Sequence, residues 1–173
     1  MRKEIRIAGF GGQGVILAGF ILGRAISVHT RMHATMTQSY GPESRGGSCE
    51  ADVIIGDTED DTPVVTHPDI LVFMSQEAAT KNMEAARDAP LILSDADLVR
   101  LDEDLASRAL ALPFTRTADG LGRRIVANMV MLGSLTRAAR IVPREAMEAA
   151  VTETVKPKTR ELNLKAFDAG MRL

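Results

Sequence analysis

The hydrophobic and polar positions of the chain alternate between short apolar runs, typical of strands, and longer stretches with helical spacing. The first apolar run, residues 5–8, is followed by a glycine-rich turn at 9–14 and by an apolar segment that predicts a buried helix from about Gly12 to Val28. A strand, a glycine turn and a helix in this order indicate the start of a layered α/β domain.

Further apolar runs predict the remaining strands and helices. The run 69–75 is apolar throughout, as expected of a central strand that is covered on both faces. The connection between 33–38 and 48–56 is too short for a parallel crossover, so we expect these two strands to be antiparallel or at a sheet edge. The predicted strands are 33–38, 48–56, 69–75, 90–95 and 108–113, and the predicted helices are 76–87, 123–140, 144–155 and 157–169.

The fold class that this order predicts is α/β. We expect a single three-layer α/β/α domain over residues 1–173, with a mixed, mostly parallel sheet and a helical C-terminal segment. A chain of 173 residues is long enough for one well-buried core and short for two domains.

Composition and charge exclude several classes of protein. The net charge of −2 gives no reason to expect a nucleic-acid or membrane-surface partner, and no apolar run is long enough to span a bilayer. Met1 leads into the first strand without the apolar segment of a signal peptide, so we expect a cytoplasmic protein. The single cysteine, Cys49, excludes an iron–sulfur cluster held by this chain alone. The histidines lack metal-ligand spacing, so no metal site is expected: His29, His33 and His67.

The glycine turn is the first candidate site. Gly9, Gly11 and Gly14 match the spacing G-x-G-x-x-G, but a dinucleotide site also needs an acidic residue about 20 positions later, and residues 31–38 contain none. We therefore disfavour NAD(P) binding. Two interpretations remain: the glycines only permit a tight, closely packed turn, or the turn and the helix N-terminus behind it bind an anion or phosphate. The candidate residues are Gly11, Gly12, Gln13 and Gly14.

The loop after the second predicted strand is the second candidate site. It combines glycines and a proline, which fix unusual backbone dihedrals, with side chains that make directional contacts. Arg45 is a residue type that anchors interfaces or holds phosphates and carboxylates. The alternative is a tight turn with a surface ion pair between Glu43 and Arg45, worth under about 1 kcal/mol. The loop consists of Tyr40, Gly41, Pro42, Glu43, Ser44, Arg45, Gly46 and Gly47.

Three polar positions indicate where a binding crevice would lie. Ser75 and Asp95 end two predicted strands, and α/β sheets bind ligands at the carboxyl ends of their strands. Asn128 lies within an apolar helical run. It is either a core amide with satisfied hydrogen bonds or a group that is presented to a partner.

Several segments together resemble one family. Residues 9–19, Gly-Phe-Gly-Gly-Gln-Gly-Val-Ile-Leu-Ala-Gly, and 38–47, Gln-Ser-Tyr-Gly-Pro-Glu-Ser-Arg-Gly-Gly, resemble the gamma subunit of 2-oxoacid:ferredoxin (acceptor) oxidoreductases. The similarity covers nearly the whole chain in the right order, and the loop led by Gln38 is closer to the 2-oxoglutarate or branched-chain type. His29-Thr30-Arg31 departs from the family, which often has a glycine-containing turn there. The other similar segments are 69–76, 128–133 and 163–170.

The resemblance implies one subunit of a larger enzyme. Such enzymes convert a 2-oxoacid, coenzyme A and an oxidised acceptor into acyl-CoA, carbon dioxide and the reduced acceptor. The resemblance implies that thiamine diphosphate, Mg²⁺, [4Fe–4S] clusters and coenzyme A are bound in or with partner subunits. The implied partners are thiamine-binding alpha and beta subunits and a ferredoxin-like delta subunit. The implied electron acceptor is ferredoxin or a similar protein.

For this chain the resemblance predicts no catalytic residue and no activity in isolation. We expect the turn Gly11–Gly14 to help hold an anionic part of coenzyme A, and the loop 40–47 to lie at a subunit interface or substrate channel. Two alternatives remain: a stand-alone nucleotide- or phosphate-binding domain that uses the glycine turn, and a structural subunit whose glycines serve only packing.

Overall fold

A computed structural model describes residues 1–42, 46–58 and 63–173. Three residues of the second candidate site, Glu43, Ser44 and Arg45, lie outside the described residues.

The described residues form one mixed sheet with the strand order β2-β3-β1-β4-β5-β6. Strand β3 is antiparallel to both of its neighbours, whereas the pairs β1–β4, β4–β5 and β5–β6 are parallel. This arrangement confirms the predicted mixed, mostly parallel sheet and the antiparallel pair. The strands are β1 Arg2–Phe10, β2 His33–Tyr40, β3 Ser48–Gly56, β4 Ile70–Phe73, β5 Leu91–Asp95 and β6 Leu110–Leu112.

The helices follow the predicted order with two differences. The helix predicted over 76–87 is divided into two at Asn82, whose backbone leaves helical dihedrals and whose side chain donates a 2.7 Å hydrogen bond to Glu50. Two short helices between 103 and 120 had no counterpart among the predicted bounds. The helices are α1 Val15–His29, α2 Gln76–Lys81, α3 Met83–Asp88, α4 Glu103–Arg108, α5 Phe114–Gly120, α6 Ala127–Ala139, α7 Arg144–Thr154 and α8 Arg160–Met171, with 3-10 turns at Arg124–Val126 and Pro157–Thr159.

The core has two parts, one on each face of the sheet. On one face, Ile5 and Ile7 of β1 pack with the apolar sides of α1, α6, α7 and α8 in the larger cluster. On the other face, Leu71 and Phe73 of β4 pack with α2, α3 and α4 in a smaller cluster. Because successive strand residues point to opposite faces, this division produces the predicted three-layer α/β/α domain with a helical C-terminal segment.

None of the helices in the described ranges combines the length and apolar character that crossing a membrane requires.

Candidate functional site

The carboxyl ends of β1, β4 and β5 meet at one edge of the sheet, where the structure forms a cavity of about 250 Å³. Parallel strands commonly place binding sites at this edge. The cavity contains part of the predicted glycine turn together with residues from three later segments. It is lined by Phe10, Gly12, Gln13, Met74, Leu98, Thr115, Arg124, Ile125 and Ala127.

Gln13 fixes the glycine turn to the sheet. Its Oε1 accepts a 2.9 Å hydrogen bond from the N–H of Phe10, and its Nε2 donates a 2.7 Å hydrogen bond to the C=O of Met74. Its own N–H donates to the C=O of Phe10 at 3.2 Å. The side chain thus joins the end of β1 to the residue after β4, which holds the turn in one place.

Gly14 brings α1 and α6 into close contact. It adopts φ 73° and ψ 26°, a left-handed conformation that favours glycine, and its C=O accepts hydrogen bonds from the N–H of Ala18 at 3.0 Å and from Asn128 Nδ2 at 3.2 Å. A Cβ on Gly14 would lie 2.4 Å from Asn128 Nδ2. Asn128 is 4% exposed, so of its two interpretations the described contacts favour the core amide.

Gly12 differs from its neighbours because it is exposed. Its φ is 99°, and a Cβ placed on it would meet no atom within 4 Å. Within the described part of the chain, no side chain caps the first turn of α1. Uncapped N–H groups at a helix start carry partial positive charge and favour an anion. Gly12 therefore keeps the anion-site interpretation open, while Gly14 also serves packing.

The two candidate motifs are in direct contact. The N–H of Gly11 donates a 2.8 Å hydrogen bond to the C=O of Gly47, and the N–H of Gly41 donates a 2.7 Å hydrogen bond to the C=O of Ser48. This contact follows from the register of β1 and β3, which pair as far as Phe10 and Ser48. The side chain of Tyr40 is exposed beside it. The glycine turn and the described residues of the loop 40–47 therefore belong to one surface.

Arg124, which was not among the predicted site residues, lines the cavity, and Arg116 and Arg123 are adjacent in sequence to residues that line it. Arg124 donates to both carboxylate oxygens of Asp119, at 3.1 and 2.7 Å, and these hydrogen bonds lower the pKa of Asp119. Arg116 is similarly paired with Asp97 at 3.0 Å, and Arg123 is also exposed. The sequence signal that could have identified Arg124 as a site residue is the arginine-rich segment after β6. Hydrophobic periodicity assigned that segment to the start of a helix and gave no indication that it lies beside the glycine turn.

Asp95 and Ser75 lie at this edge, as predicted, but their side chains serve the fold. Asp95 is fully buried, and its Oδ2 accepts from the N–H and Oγ1 of Thr115 at 3.1 and 2.5 Å. Burial raises the pKa of Asp95. Ser75 Oγ accepts a 3.2 Å hydrogen bond from the N–H of Ala78 and so caps α2.

The remaining titratable candidates do not form a metal site within residues 1–42, 46–58 and 63–173. Cys49 is buried in β3. His29 ends α1 and contacts Glu153 at 3.2 Å, whereas His33 begins β2. A larger groove of about 660 Å³ lies between α7 and α8. Its charged side chains pair with one another, as Arg144 does with Glu148 and Asp168, so the groove offers few free charges to a ligand.

Comparison with known families identifies the class of protein. The model of the family described as pyruvate ferredoxin/flavodoxin oxidoreductase matches residues 4–173. The chain belongs to this family. It is 48% identical over 173 residues to the 2-oxoglutarate synthase subunit KorC of Methanocaldococcus jannaschii, covering 98% of this chain and 92% of that relative. It is 32% identical to the ketoisovalerate oxidoreductase subunit VorA of Methanothermobacter thermautotrophicus, covering 96% of this chain but only 35% of that relative.

Solved structures agree with this assignment. The gamma subunit of a keto/oxoacid ferredoxin oxidoreductase from Geobacter sulfurreducens superposes with a TM-score of 0.86 at 39% identity, covering 99% of this chain and 95% of that one. A 2-oxoglutarate:ferredoxin oxidoreductase from Magnetococcus marinus, solved with 2-oxoglutarate, coenzyme A and succinyl-CoA, shares the fold with a TM-score of 0.85 at 21% identity and covers 99% of this chain and 30% of that one.

The resemblance seen in the sequence is thereby confirmed. The chain is a gamma-type subunit of a 2-oxoacid:ferredoxin oxidoreductase. A stand-alone nucleotide-binding domain is not favoured.

Proposed function

We propose that this chain is the gamma-type subunit of a cytoplasmic 2-oxoglutarate:ferredoxin oxidoreductase. Such an enzyme converts 2-oxoglutarate, coenzyme A and oxidised ferredoxin into succinyl-CoA, carbon dioxide and reduced ferredoxin. The choice of 2-oxoglutarate is supported by the 48% identity to a 2-oxoglutarate synthase subunit, against 32% to a ketoisovalerate oxidoreductase subunit. Its partners are thiamine-binding alpha and beta subunits and a ferredoxin-like delta subunit.

The role of this chain in that enzyme is to bind and position coenzyme A. Coenzyme A carries phosphates, an aromatic base and a long, partly apolar arm, so it needs both cationic and apolar contacts. The cavity at the glycine turn offers both. Gly12 and the uncapped start of α1 suit a phosphate, and the exposed side chains of Phe10 and Ile125 supply apolar surface. Arg124 already pairs with Asp119 through Nε and Nη2, but a guanidinium has five N–H donors, so it can donate to a phosphate as well.

The observation that carries this proposal is the position of Gly12. It is an exposed glycine with positive φ at an uncapped helix start, and it lines the same cavity as an arginine. Glycines that served only packing would be covered, as Gly14 is by Asn128. Thiamine diphosphate, Mg²⁺ and [4Fe–4S] clusters belong to the partner subunits in this proposal, and we assign no catalytic residue to this chain.

The second motif, residues 40–47, lies at the subunit boundary in this proposal. The hydrogen bond between Gly11 and Gly47 brings the end of that loop to the residue before Gly12, which lines the cavity, and Tyr40 at the start of the loop is exposed. A partner that packs on the loop would therefore close one side of the cavity. Arg45 is proposed to contact that partner.

The coenzyme A proposal is tested by Arg124→Ala in the complex purified without oxygen. Loss of one charge-assisted contact of about 1.5–3 kcal/mol is expected to raise the KM for coenzyme A by roughly tenfold to a hundredfold and to leave the KM for the 2-oxoacid unchanged. Arg144→Ala is the matched control, because Arg144 is also an exposed arginine in an ion pair but lies on α7. An unchanged KM for coenzyme A in Arg124→Ala would contradict the proposed site.

The substrate proposal is tested by steady-state kinetics of the wild-type complex with a panel of 2-oxoacids. We expect a higher kcat/KM for 2-oxoglutarate than for 2-oxoisovalerate or pyruvate. Preference for a branched-chain 2-oxoacid would refute the choice of substrate and leave the subunit assignment intact.

A further inference from the structure

Strand β2 ends the sheet, and within residues 1–42, 46–58 and 63–173 no strand pairs with its outer edge; the hydroxyl of Thr37 donates to the C=O of Pro63 at 3.5 Å. Strand β2 has eight residues, and none of them is buried. Its sequence, His-Ala-Thr-Met-Thr-Gln-Ser-Tyr, contains no lysine, arginine, carboxylate, proline or glycine. Natural edge strands usually avoid unwanted pairing by being short or by carrying such residues. The opposite edge, β6, is only three residues long. The edge of β2 is therefore suited to pairing with another strand.

An apolar helix face lies beside this edge. Phe20 is 49% exposed and Val28 is 57% exposed, and both are on α1. They line a groove of about 280 Å³ that also contains Ala34 and Met36 of β2. A strand added to the edge of β2 would extend the sheet, and side chains on one of its faces would enter this groove. Backbone pairing and apolar burial would then occur at the same surface, as in recognition by strand addition.

Basic side chains lie around the groove, and one of them is already paired with a carboxylate. Arg24 lines the groove and is paired with Glu153 of α7. Arg31 is exposed just before β2, and the described ranges show no ion pair for it; His33 is exposed at the first position of the strand. An occupant with apolar residues and a carboxylate near its end would complement this surface.

The lengths of the relatives indicate which occupant to expect. This chain covers 35% of the ketoisovalerate oxidoreductase subunit VorA and 30% of the Magnetococcus marinus chain. In those proteins the same domain is continuous with about twice its own length of further polypeptide. The KorC subunit of Methanocaldococcus jannaschii, by contrast, consists of little more than this domain, because this chain covers 92% of it. Contacts that form within one polypeptide in VorA form between subunits in an enzyme of the KorC type, and such interfaces need a surface that favours association without a covalent link.

We propose that the edge of β2 and the adjacent face of α1 dock the companion subunit that corresponds to the remainder of those longer relatives. The companion adds a strand to β2, places apolar side chains against Phe20 and Val28, and presents a carboxylate to Arg31. This inference rests on the proposed subunit function, but it concerns a surface distinct from the coenzyme A cavity.

The test is reassembly of the complex from this chain and the companion subunits that were isolated with it and identified by mass spectrometry. Phe20→Glu is expected to weaken association at least tenfold, because a carboxylate would be buried in an apolar contact. The variant retains its helix, since a glutamate four residues before Arg24 is a favourable helical pair. Leu110→Glu is the matched control at the opposite edge, where Leu110 is 41% exposed. It is expected to assemble like the wild type.

A charge reversal and an exchange measurement complete the test. Arg31→Glu is expected to weaken assembly several-fold, whereas Arg31→Lys is expected to retain it. Amide hydrogen exchange of β2 is expected to slow in the complex relative to the free chain. Normal assembly of Phe20→Glu, or failure of Leu110→Glu instead, would overturn the proposed surface.

Other outcomes are distinguishable from these. Absence of any association by the wild-type chain would contradict the subunit function itself. A dimer of the isolated chain in sedimentation, with β2 already protected, would show that a second copy occupies the edge and would overturn the choice of the companion subunit.

Discussion

Gly14→Ala, at the contact between the glycine turn and α6, is expected to destabilise the chain through two separable effects. The first is backbone strain, since an L-residue at φ 73° costs about 1–2 kcal/mol. The second is overpacking, because the new Cβ would lie 2.4 Å from Asn128 Nδ2 and 3.0 Å from its Cγ, which costs about 1–3 kcal/mol. The amide can rotate, but its burial leaves little free space. We expect a total loss of about 3 kcal/mol.

The assay is urea unfolding of the purified chain in a double-mutant cycle. In the background Asn128→Ala, the overpacking disappears and Gly14→Ala is expected to cost only the strain of about 1–2 kcal/mol. Gly12→Ala is the matched control in the wild-type background. It carries the same kind of strain at φ 99° but has no neighbour within 4 Å, so it is expected to cost about 1–2 kcal/mol as well.

Equal costs for Gly14→Ala in the two backgrounds would refute the reasoning. They would mean that the side chain of Asn128 does not fill the space beside Gly14, and that the glycine is required for its backbone conformation alone. A cost for Gly12→Ala as large as that for Gly14→Ala would lead to the same conclusion.

Two further predictions concern the helical layer and the acid stability. Gly133→Ala is expected to cost about 3 kcal/mol, because its Cβ would lie 2.0 Å from the carbonyl oxygen of Phe167 in α8. Gly23→Ala has open space around it and is expected to stabilise α1 by about 0.5–1 kcal/mol. Equal effects of the two substitutions in thermal unfolding would contradict the contact between Gly133 and α8. Asp69→Asn is expected to make the free energy of unfolding depend less steeply on pH in the acid range. Burial raises the pKa of Asp69, but hydrogen bonds from Lys3 and a backbone N–H outweigh it and the pKa is lowered. Stability from such a carboxylate is present above its unfolded pKa of about 4 and is lost as the pH falls through the folded pKa. Urea titrations between pH 7 and pH 3 check this, and parallel curves for the variant and the wild type would contradict it.

The strands were predicted well because each has a local signal. The third strand was predicted at 48–56 and lies at Ser48–Gly56, and its antiparallel pairing with β2 followed from the short connection. The short helices were harder to predict. Asp102 caps α4 by accepting from the N–H of Leu105 at 2.9 Å, but a six-residue helix is too short to establish a periodicity. The break at Asn82 depends on Glu50 of a distant strand, which local spacing cannot reveal.

The candidate site was predicted only in part. The glycine turn and the loop after β2 were both identified as motifs, but nothing in their sequences indicated that Gly11 and Gly47 would share a hydrogen bond. Arg124 was assigned to a helix and not to the cavity. The anion-binding role of the turn and the interface role of the loop stay predictions until the kinetic and assembly experiments are done.

The sequence by itself determined the layered α/β class, the position of the glycine turn and the resemblance to gamma subunits of 2-oxoacid oxidoreductases. Hydrophobic periodicity indicates which face of each helix or strand is buried, and motifs in a fixed order indicate the family. Fold class and family can therefore be predicted from the sequence alone. Only the tertiary structure decided that Asn128 packs on Gly14, that Arg124 lies at the cavity and that β2 is the terminal strand of the sheet. These features depend on strand order and register, which bring together residues that are far apart in the chain and carry no local signal of their proximity.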